Sequence, residues 1–303
     1  MFFRSADRSW LQLTIQAIAR LVDSDLFYEL RSFKDYPRYS MTQPVSITVS
    51  STTDSPTILQ KAASLSARLN LPLSPSIEEA PSGYILCYND RGLQLLYSCA
   101  SLPRVNCLLY VDFIGGKNGY RLAKNCTIKQ PLSRAVGVKS GFRPTVFDAT
   151  AGLGTDSFVM ASLGCQVTMC ERSPFLGVLL EDGLQRAWEN RKTTKIVSEH
   201  LRLIIQDSRD FLLADHTVFH TIYLDPMFPH RKQSALNKQT LRSIRLLVGD
   251  DLDGDSLLEV ALKRAANRVV VKRPAAAPYL GALPPNHSVT MKNSRFDVYL
   301  TNV

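Results

Sequence analysis

The sequence predicts a doubly wound α/β domain over residues 141–303, preceded by a small α+β domain over 57–140 and an N-terminal extension over 1–56. Three observations predict it. From residue 145 onward, short apolar runs of strand length alternate with helical stretches, the grammar of a mainly parallel sheet covered on both faces. The first of these strands runs into a glycine-rich turn that opens a helix. Before residue 115 the pattern differs: a helical stretch is followed by three aromatic-rich runs.

The elements follow in order. In the extension, Trp10, Leu11, Leu13, Ile15, Ile18 and Leu21 fit one helix face, until Tyr36-Pro37 breaks the pattern. A Ser-, Thr- and Pro-rich stretch then runs from Met41 to Pro56. A mobile tail, a docking helix and sequence upstream of a true start at Met41 are three readings of residues 1–40. Residues 57–69 carry Ile58, Leu59, Ala62, Leu65 and Leu69 at helical spacing. Tyr84 to Tyr88, Leu93 to Tyr97 and Leu108 to Phe113 read as strands, with Asn89-Asp90-Arg91-Gly92 as the hairpin turn between the first two. Thr145 to Phe147 begins the larger sheet, and Ser157 to Leu163 is a helix ended by Gly164. Gln166 to Cys170 is the next strand. Ser173-Pro174 supplies an N-cap and a proline at the first helical position for a helix reaching about Asn190. Leu201 to Ile205, His220 to Leu224 and Arg268 to Val271 are further strands, and Ser288 to Leu300 is a terminal hairpin.

With 303 residues and 45% hydrophobic content, the chain can bury one large core or two smaller ones. The net charge of +9 favours an anionic partner. None of the six cysteines forms a C-x-x-C pair, so no metal site is expected, and reduced thiols suit a cytoplasmic protein. No apolar run approaches the roughly 20 residues that span a bilayer.

The strongest chemical signal is Asp148-Ala-Thr-Ala-Gly152-Leu-Gly154-Thr155-Asp156. Glycines let the backbone pass close beneath a ligand, and the helix start adds favourable partial charge. A dinucleotide fingerprint would need a third glycine where Ser157 stands. Asp148 and Asp156 also repel a pyrophosphate and suit a sulfonium with an amino-acid moiety. Glu171 ends the second strand, where a carboxylate can accept both ribose hydroxyls. Asp207-Ser208 ends the third, placed either to meet an adenine amine or to cap the turn Arg209 to Ala214. The fourth strand ends in Asp225-Pro226-Met227-Phe228-Pro229, which matches the Asp/Asn-Pro-Pro-aromatic pattern of amino-methyltransferases. An exocyclic base amine is a poor nucleophile because its lone pair is delocalised. Asp225 and the Pro226 carbonyl can accept its hydrogens, and Phe228 can stack on the base.

These strings together resemble the ribosomal RNA small subunit methyltransferase J family. The resemblance rests on the Asp148–Gly154 loop, Glu171-Arg172, Leu224-Asp-Pro-Met-Phe-Pro-His230, Ser234-Ala-Leu236, Val269-Val-Val-Lys-Arg-Pro274 and Arg295-Phe-Asp-Val-Tyr299. Val111-Asp-Phe-Ile-Gly-Gly116 and Ala135-Val-Gly-Val-Lys139 extend it over about residues 83–300. It implies a Rossmann-like class I methyltransferase sheet and transfer of a methyl group from S-adenosylmethionine to N2 of a guanosine in 16S ribosomal RNA. By motif it places Thr155, Asp156, Glu171, Arg172, Asp207, Ser208 and Asp225 at the cofactor. The chain departs at Thr155, where many members carry a basic residue, and at Asp207, where a smaller one is common.

Three basic stretches free of acids, within 112–148, 225–250 and 259–297, suit phosphate contact with RNA or with the small ribosomal subunit. Rival readings are an amino-methyltransferase acting on DNA or protein, and a cofactor-binding RNA chaperone without turnover. The intact Asp225-Pro226 argues against the chaperone. No residue pattern fixes an oligomeric state.

Overall fold

The computed structural model describes residues 47–53, 55–98, 105–115, 127–226 and 253–301. A four-stranded sheet comes first: β1 (Ile47–Ser51), helix α1 (Pro56–Leu69), β2 (Gly83–Asn89), β3 (Gly92–Ser98) and β4 (Asn106–Tyr110), in spatial order β1-β2-β3-β4. β2 and β3 pair antiparallel up to Asn89 opposite Gly92, so Asp90-Arg91 is the two-residue loop of the expected hairpin. β1 pairs parallel to β2 and is buried along its whole length. The extension drawn over 1–56 is therefore too long at its inner end. The Ser- and Thr-rich stretch contains a strand, whose Thr48 and Ser50 are buried beside Val49. The helix and start readings for residues 1–40 lie outside the described residues.

The chain continues with α2 (Pro131–Val136), β5 (Thr145–Asp148), α3 (Thr155–Ser162), β6 (Gln166–Glu171), α4 (Pro174–Glu189), α5 (Thr194–His200), β7 (Leu201–Ile205), α6 (Ser208–Ala214), β8 (Phe219–Leu224), α7 (Gly254–Arg264), β9 (Ala265–Pro274), β10 (His287–Thr290) and β11 (Ser294–Leu300). Their strands form one sheet in the order β10-β11-β9-β8-β5-β6-β7. The strands from β9 to β7 are mutually parallel, while β11 runs antiparallel between β9 and β10. The doubly wound expectation is met. The order reverses between β5 and β8, and a ligand crevice in an open α/β sheet lies at the carboxyl ends of such a pair.

Local chemistry sets these elements. Ser173 caps α4 by accepting the Leu176 amide, as Ser-Pro implied. Each fully buried aliphatic side chain contributes roughly 1.5–3 kcal/mol, and α4 buries Leu179, Leu180 and Leu184 among others. The helix α2, which the division at residue 140 assigned to the small domain, packs on the large sheet instead. The Thr221 hydroxyl of β8 donates to the Val136 carbonyl at its end, and Arg268 of β9 donates to Ala135.

The two sheets share one apolar core, running from Ile47 and Leu86 through Phe158 and Leu180 to Val298. Helix α4 is the seam. Arg68 forks onto Glu181 at 2.5 and 2.7 Å, the Leu93 amide donates to Asp182, and Arg186 reaches the Tyr110 hydroxyl and the Val111 carbonyl. A Cβ on Gly183 would come within 2.4 Å of Val111, so only glycine admits the loop after β4 this close to the helix. Val111 to Phe113, expected as the end of a strand, leave the sheet at Tyr110 and turn inward against α4. A second core, on the opposite face, joins Phe147, Phe211 and Leu258 under α6 and α7.

Candidate active site

A cavity of about 380 Å³ opens at the carboxyl ends of β5, β6 and β8. The loop after β5 forms its floor. The Ala149 amide donates to the Tyr223 carbonyl and the Ala151 amide to Cys170, which ties the loop to both neighbouring strands. Gly152 (φ 56°) and Gly154 (φ 69°) take left-handed conformations that a side chain would strain. Of the sequence-predicted residues, Asp148, Gly152, Thr155, Asp156, Glu171, Arg172, Asp207, Ser208, Asp225 and Pro226 line the cavity. Gly154 does not. A Cβ there would stand 2.8 Å from Leu180 and 3.0 Å from Phe113, so this glycine lets the loop seat on the core behind the site. Phe113, stacked on Phe158 at 4.7 Å, is how the small domain buttresses the loop. Phe228 and the string through Leu236 lie outside the described residues.

Asp148 is buried and accepts from the Ser157 hydroxyl at 2.5 Å and the Thr150 amide at 3.2 Å. Burial, helped by the charges of Asp156 and Asp225, pushes its carboxyl up to about 7 against those hydrogen bonds. Ser157, which breaks the dinucleotide fingerprint, is thus the hydroxyl that holds Asp148.

Glu171 is 5% exposed. One oxygen accepts the Gly152 amide at 2.8 Å and the other the Ser173 amide at 2.7 Å. The carboxylate braces the glycine loop and the start of α4, and any ribose hydroxyl would share oxygens already bonded to backbone. The Asp207 side chain accepts the Arg209 amide at 2.8 Å and caps α6; the capping account of Asp207 therefore holds. Burial opposes its charge, but the guanidinium and amide of Arg209 keep its carboxyl below the usual range. Ser208 donates to the Ala149 carbonyl at 2.6 Å, so its hydroxyl anchors the loop.

Sequence reasoning missed two sets of residues here. Arg172 bonds Asp253 at 3.1 Å, and Arg209 pairs with both Asp207 and Asp253. Asp253 precedes α7, whose Gly254 and Leu257 also line the cavity. At the opposite end, Lys272 extends from β9 and places its ammonium 2.7 Å from Asp156 and 2.8 Å from Asp225. Tyr223 donates to the same Asp156 oxygen at 2.7 Å. Burial disfavours the Lys272 charge, but Asp225 and Asp156 outweigh it and hold the ammonium well above its ordinary range. The signal for Lys272 was a lysine ending a run of three valines on the strand beside β8; the basic-stretch reading took it for a surface cation.

That reading is corrected for several residues, while Lys129, Arg134, Lys263 and Lys292 are exposed as it requires. Between residues 259 and 297, Arg264, Arg268, Lys272, Arg273 and Arg295 all bond within the fold, to Asp215, Ala135, the Asp156–Asp225 pair, Pro278 and Asp297 respectively. Lys139 and Arg143 are exposed but precede β5, at the end of the sheet opposite the cavity. The stretch within 225–250 lies outside the described residues.

The donor set fits S-adenosylmethionine. Carboxylates on the floor favour a cationic ligand, and Leu176 and Leu257 give apolar wall for a flat base. The helix start after Gly154 offers amides to a carboxylate.

A family model described as "Putative SAM-dependent methyltransferase" matches residues 65–301. The chain is 56% identical over 245 residues to the ribosomal RNA small subunit methyltransferase J of Desulfotalea psychrophila, covering 81% of this chain and 93% of that one. It is 45% identical to the protein of that name from Thioalkalivibrio sulfidiphilus, covering 80% and 93%. The crystal structure of a SAM-dependent methyltransferase from Neisseria gonorrhoeae superposes with a TM-score of 0.62 at 29% identity, over 84% of this chain and 96% of that one. An intact glycine loop, a strand-end Asp-Pro and this degree of identity over nearly the whole length of the relatives agree: the chain belongs to the ribosomal RNA small subunit methyltransferase J family of S-adenosylmethionine-dependent methyltransferases.

Proposed function

We propose that this enzyme methylates N2 of a guanosine in 16S ribosomal RNA, as part of cytoplasmic ribosome maturation. The observation that carries the reading is Asp225-Pro226 at the carboxyl end of β8, on the rim of a cavity whose floor suits a cationic methyl donor. Bound S-adenosylmethionine supplies an electrophilic methyl carbon. Asp225 accepts a hydrogen of the target amine, and the Pro226 carbonyl takes the other, turning the nitrogen lone pair toward the donor. The Asp225 backbone is held for this by its amide, which donates to the Thr150 hydroxyl at 2.6 Å. The amine proton becomes acidic only after methyl transfer and leaves through Asp225, whose side chain is 40% exposed to solvent. Proximity and alignment supply most of the rate. Gly152, Thr155, Asp156, Glu171 and Arg172 are the residues proposed to surround the cofactor, with Asp207 and Ser208 shaping its adenosine end and Phe228 stacking on the base.

The proposal is tested by mass spectrometry of 16S ribosomal RNA from cells with and without the gene. A single N2-methylguanosine that disappears with the gene is expected. Identical methylation in both, or labelled methyl entering DNA or polypeptide in place of RNA, overturns it.

A further inference from the structure

The Lys272 ammonium is held by Asp156 on α3 and Asp225 after β8, and Tyr223 donates to the same Asp156 oxygen. Four groups from three elements thus form one chain, Tyr223–Asp156–Lys272–Asp225. Its stem lies on the strand face of Val270, and its side chain remains 30% exposed. An aspartate side chain turns about two torsions, and a wrong rotamer removes an acceptor from the target amine. A charged partner at 2.8 Å that is itself anchored 2.7 Å from a second carboxylate removes that freedom.

We infer that Lys272 is a positioning residue for methyl transfer: it fixes the Asp225 carboxylate in the orientation that receives the target amine. The inference rests on the proposed role of Asp225. It carries a second consequence. Lys272 is a cation beside the seat of a cationic cofactor, so it aids transfer while opposing, by its charge, the binding of the donor. A residue that merely held the pocket together would support both.

Lys272→Met separates these possibilities. Single-turnover transfer to 16S ribosomal RNA is expected to fall at least about tenfold, while calorimetry finds S-adenosylmethionine bound as tightly as by wild type or more tightly. Lys272→Arg, which keeps the charge and both hydrogen bonds, should recover part of the rate. Should Lys272→Met fail to melt cooperatively, Lys272→Gln carries the same readouts. The inference is overturned if a folded neutral variant transfers at the wild-type rate, if rate and cofactor affinity fall in parallel, or if neither neutral variant folds. Asp225→Ala run alongside tells the two claims apart: full activity in that variant sinks the role of Asp225 itself, whereas its loss beside an unaffected Lys272→Met removes Lys272 alone.

Discussion

At one end of the cavity a lysine lies between two aspartates; at the other, two arginines lie among Asp207 and Asp253. Both ends pair acids with bases, yet they are built differently. Lys272 rises from β9, Asp225 follows β8, and these strands pair in parallel with Tyr223 opposite Val270 and Leu224 opposite Val271. Sheet register therefore fixes where the two charges meet. Arg172 follows β6, Asp253 precedes α7 and Arg209 stands in the first turn of α6, so no strand pairing sets where these charges meet. The strand-fixed end is thereby suited to the proposed steering of a reacting nitrogen, and the helix-start end to the proposed adenosine wall.

The largest effect expected is from Asp225→Ala. Single-turnover methylation should fall about 10²–10³-fold, the scale seen when one preorganised polar contact to a transition state is removed. RNA affinity and its decline with salt should change little, because a carboxylate makes no attractive contact with phosphate. A variant that melts normally and still methylates near the wild-type rate would break the contrast between the two ends.

Glu171→Ala should come next. Losing a charge-assisted acceptor costs about 1.5–3 kcal/mol of cofactor affinity. Because the same carboxylate accepts the Gly152 and Ser173 amides, the melting temperature should fall as well. Calorimetry showing unchanged affinity would remove Glu171 from the cofactor site and leave it a purely structural brace.

These two residues also show what a sequence can and cannot disclose. Asp225 and Glu171 were legible because each ends an apolar strand, and parallel strands deliver their carboxyl ends to one crevice. The glycine loop was legible for the same reason. Lys272 obeys that rule too, at the end of β9, but the acid-free run around it pointed to phosphate. Charge along a chain does not report which cations fold inward onto carbonyls, as Arg268, Arg273 and Arg295 do. The helices α5 and α7 were not read from the sequence, although α7 carries Leu257, Leu258 and Ala261 at helical spacing on its buried side. β1 escaped because its serines and threonine resemble a loop until β2 is seen beside it. Asp253 gave no signal at all; its meaning is its distance from Arg172 and Arg209.

Asp148 lies on the floor between the two ends, and its effect should appear through pH. Its carboxyl is raised from an ordinary 3.8 to about 7, so between those values the folded protein holds a proton that the unfolded chain has lost. Stability from this group therefore declines as pH rises through that window. Asp148→Asn, which cannot ionise, should gain on wild type in melting temperature from pH 5 to pH 8. A constant difference across that range would mean that the carboxyl titrates normally.

The smallest effect expected is from Arg172→Gln, and it tests the weaker end directly. The family resemblance assigns Arg172 to the cofactor, yet in the structure its guanidinium bonds Asp253 at 3.1 Å through one nitrogen, with both side chains partly exposed. A pair of this kind is worth about 0–1 kcal/mol, and Arg209 remains to hold Asp253 at 3.1 Å after the change. Melting should move little, and cofactor affinity should stay within about fivefold, the equivalent of 1 kcal/mol. The arginine stem covers part of the cavity wall, so a small loss can come from packing alone. Raising the salt concentration should shrink the difference further, as it does for solvent-screened charges. If affinity instead falls by more than the loss seen for Glu171→Ala, Arg172 touches the cofactor itself. The helix-start end would then be a recognition surface and not a wall.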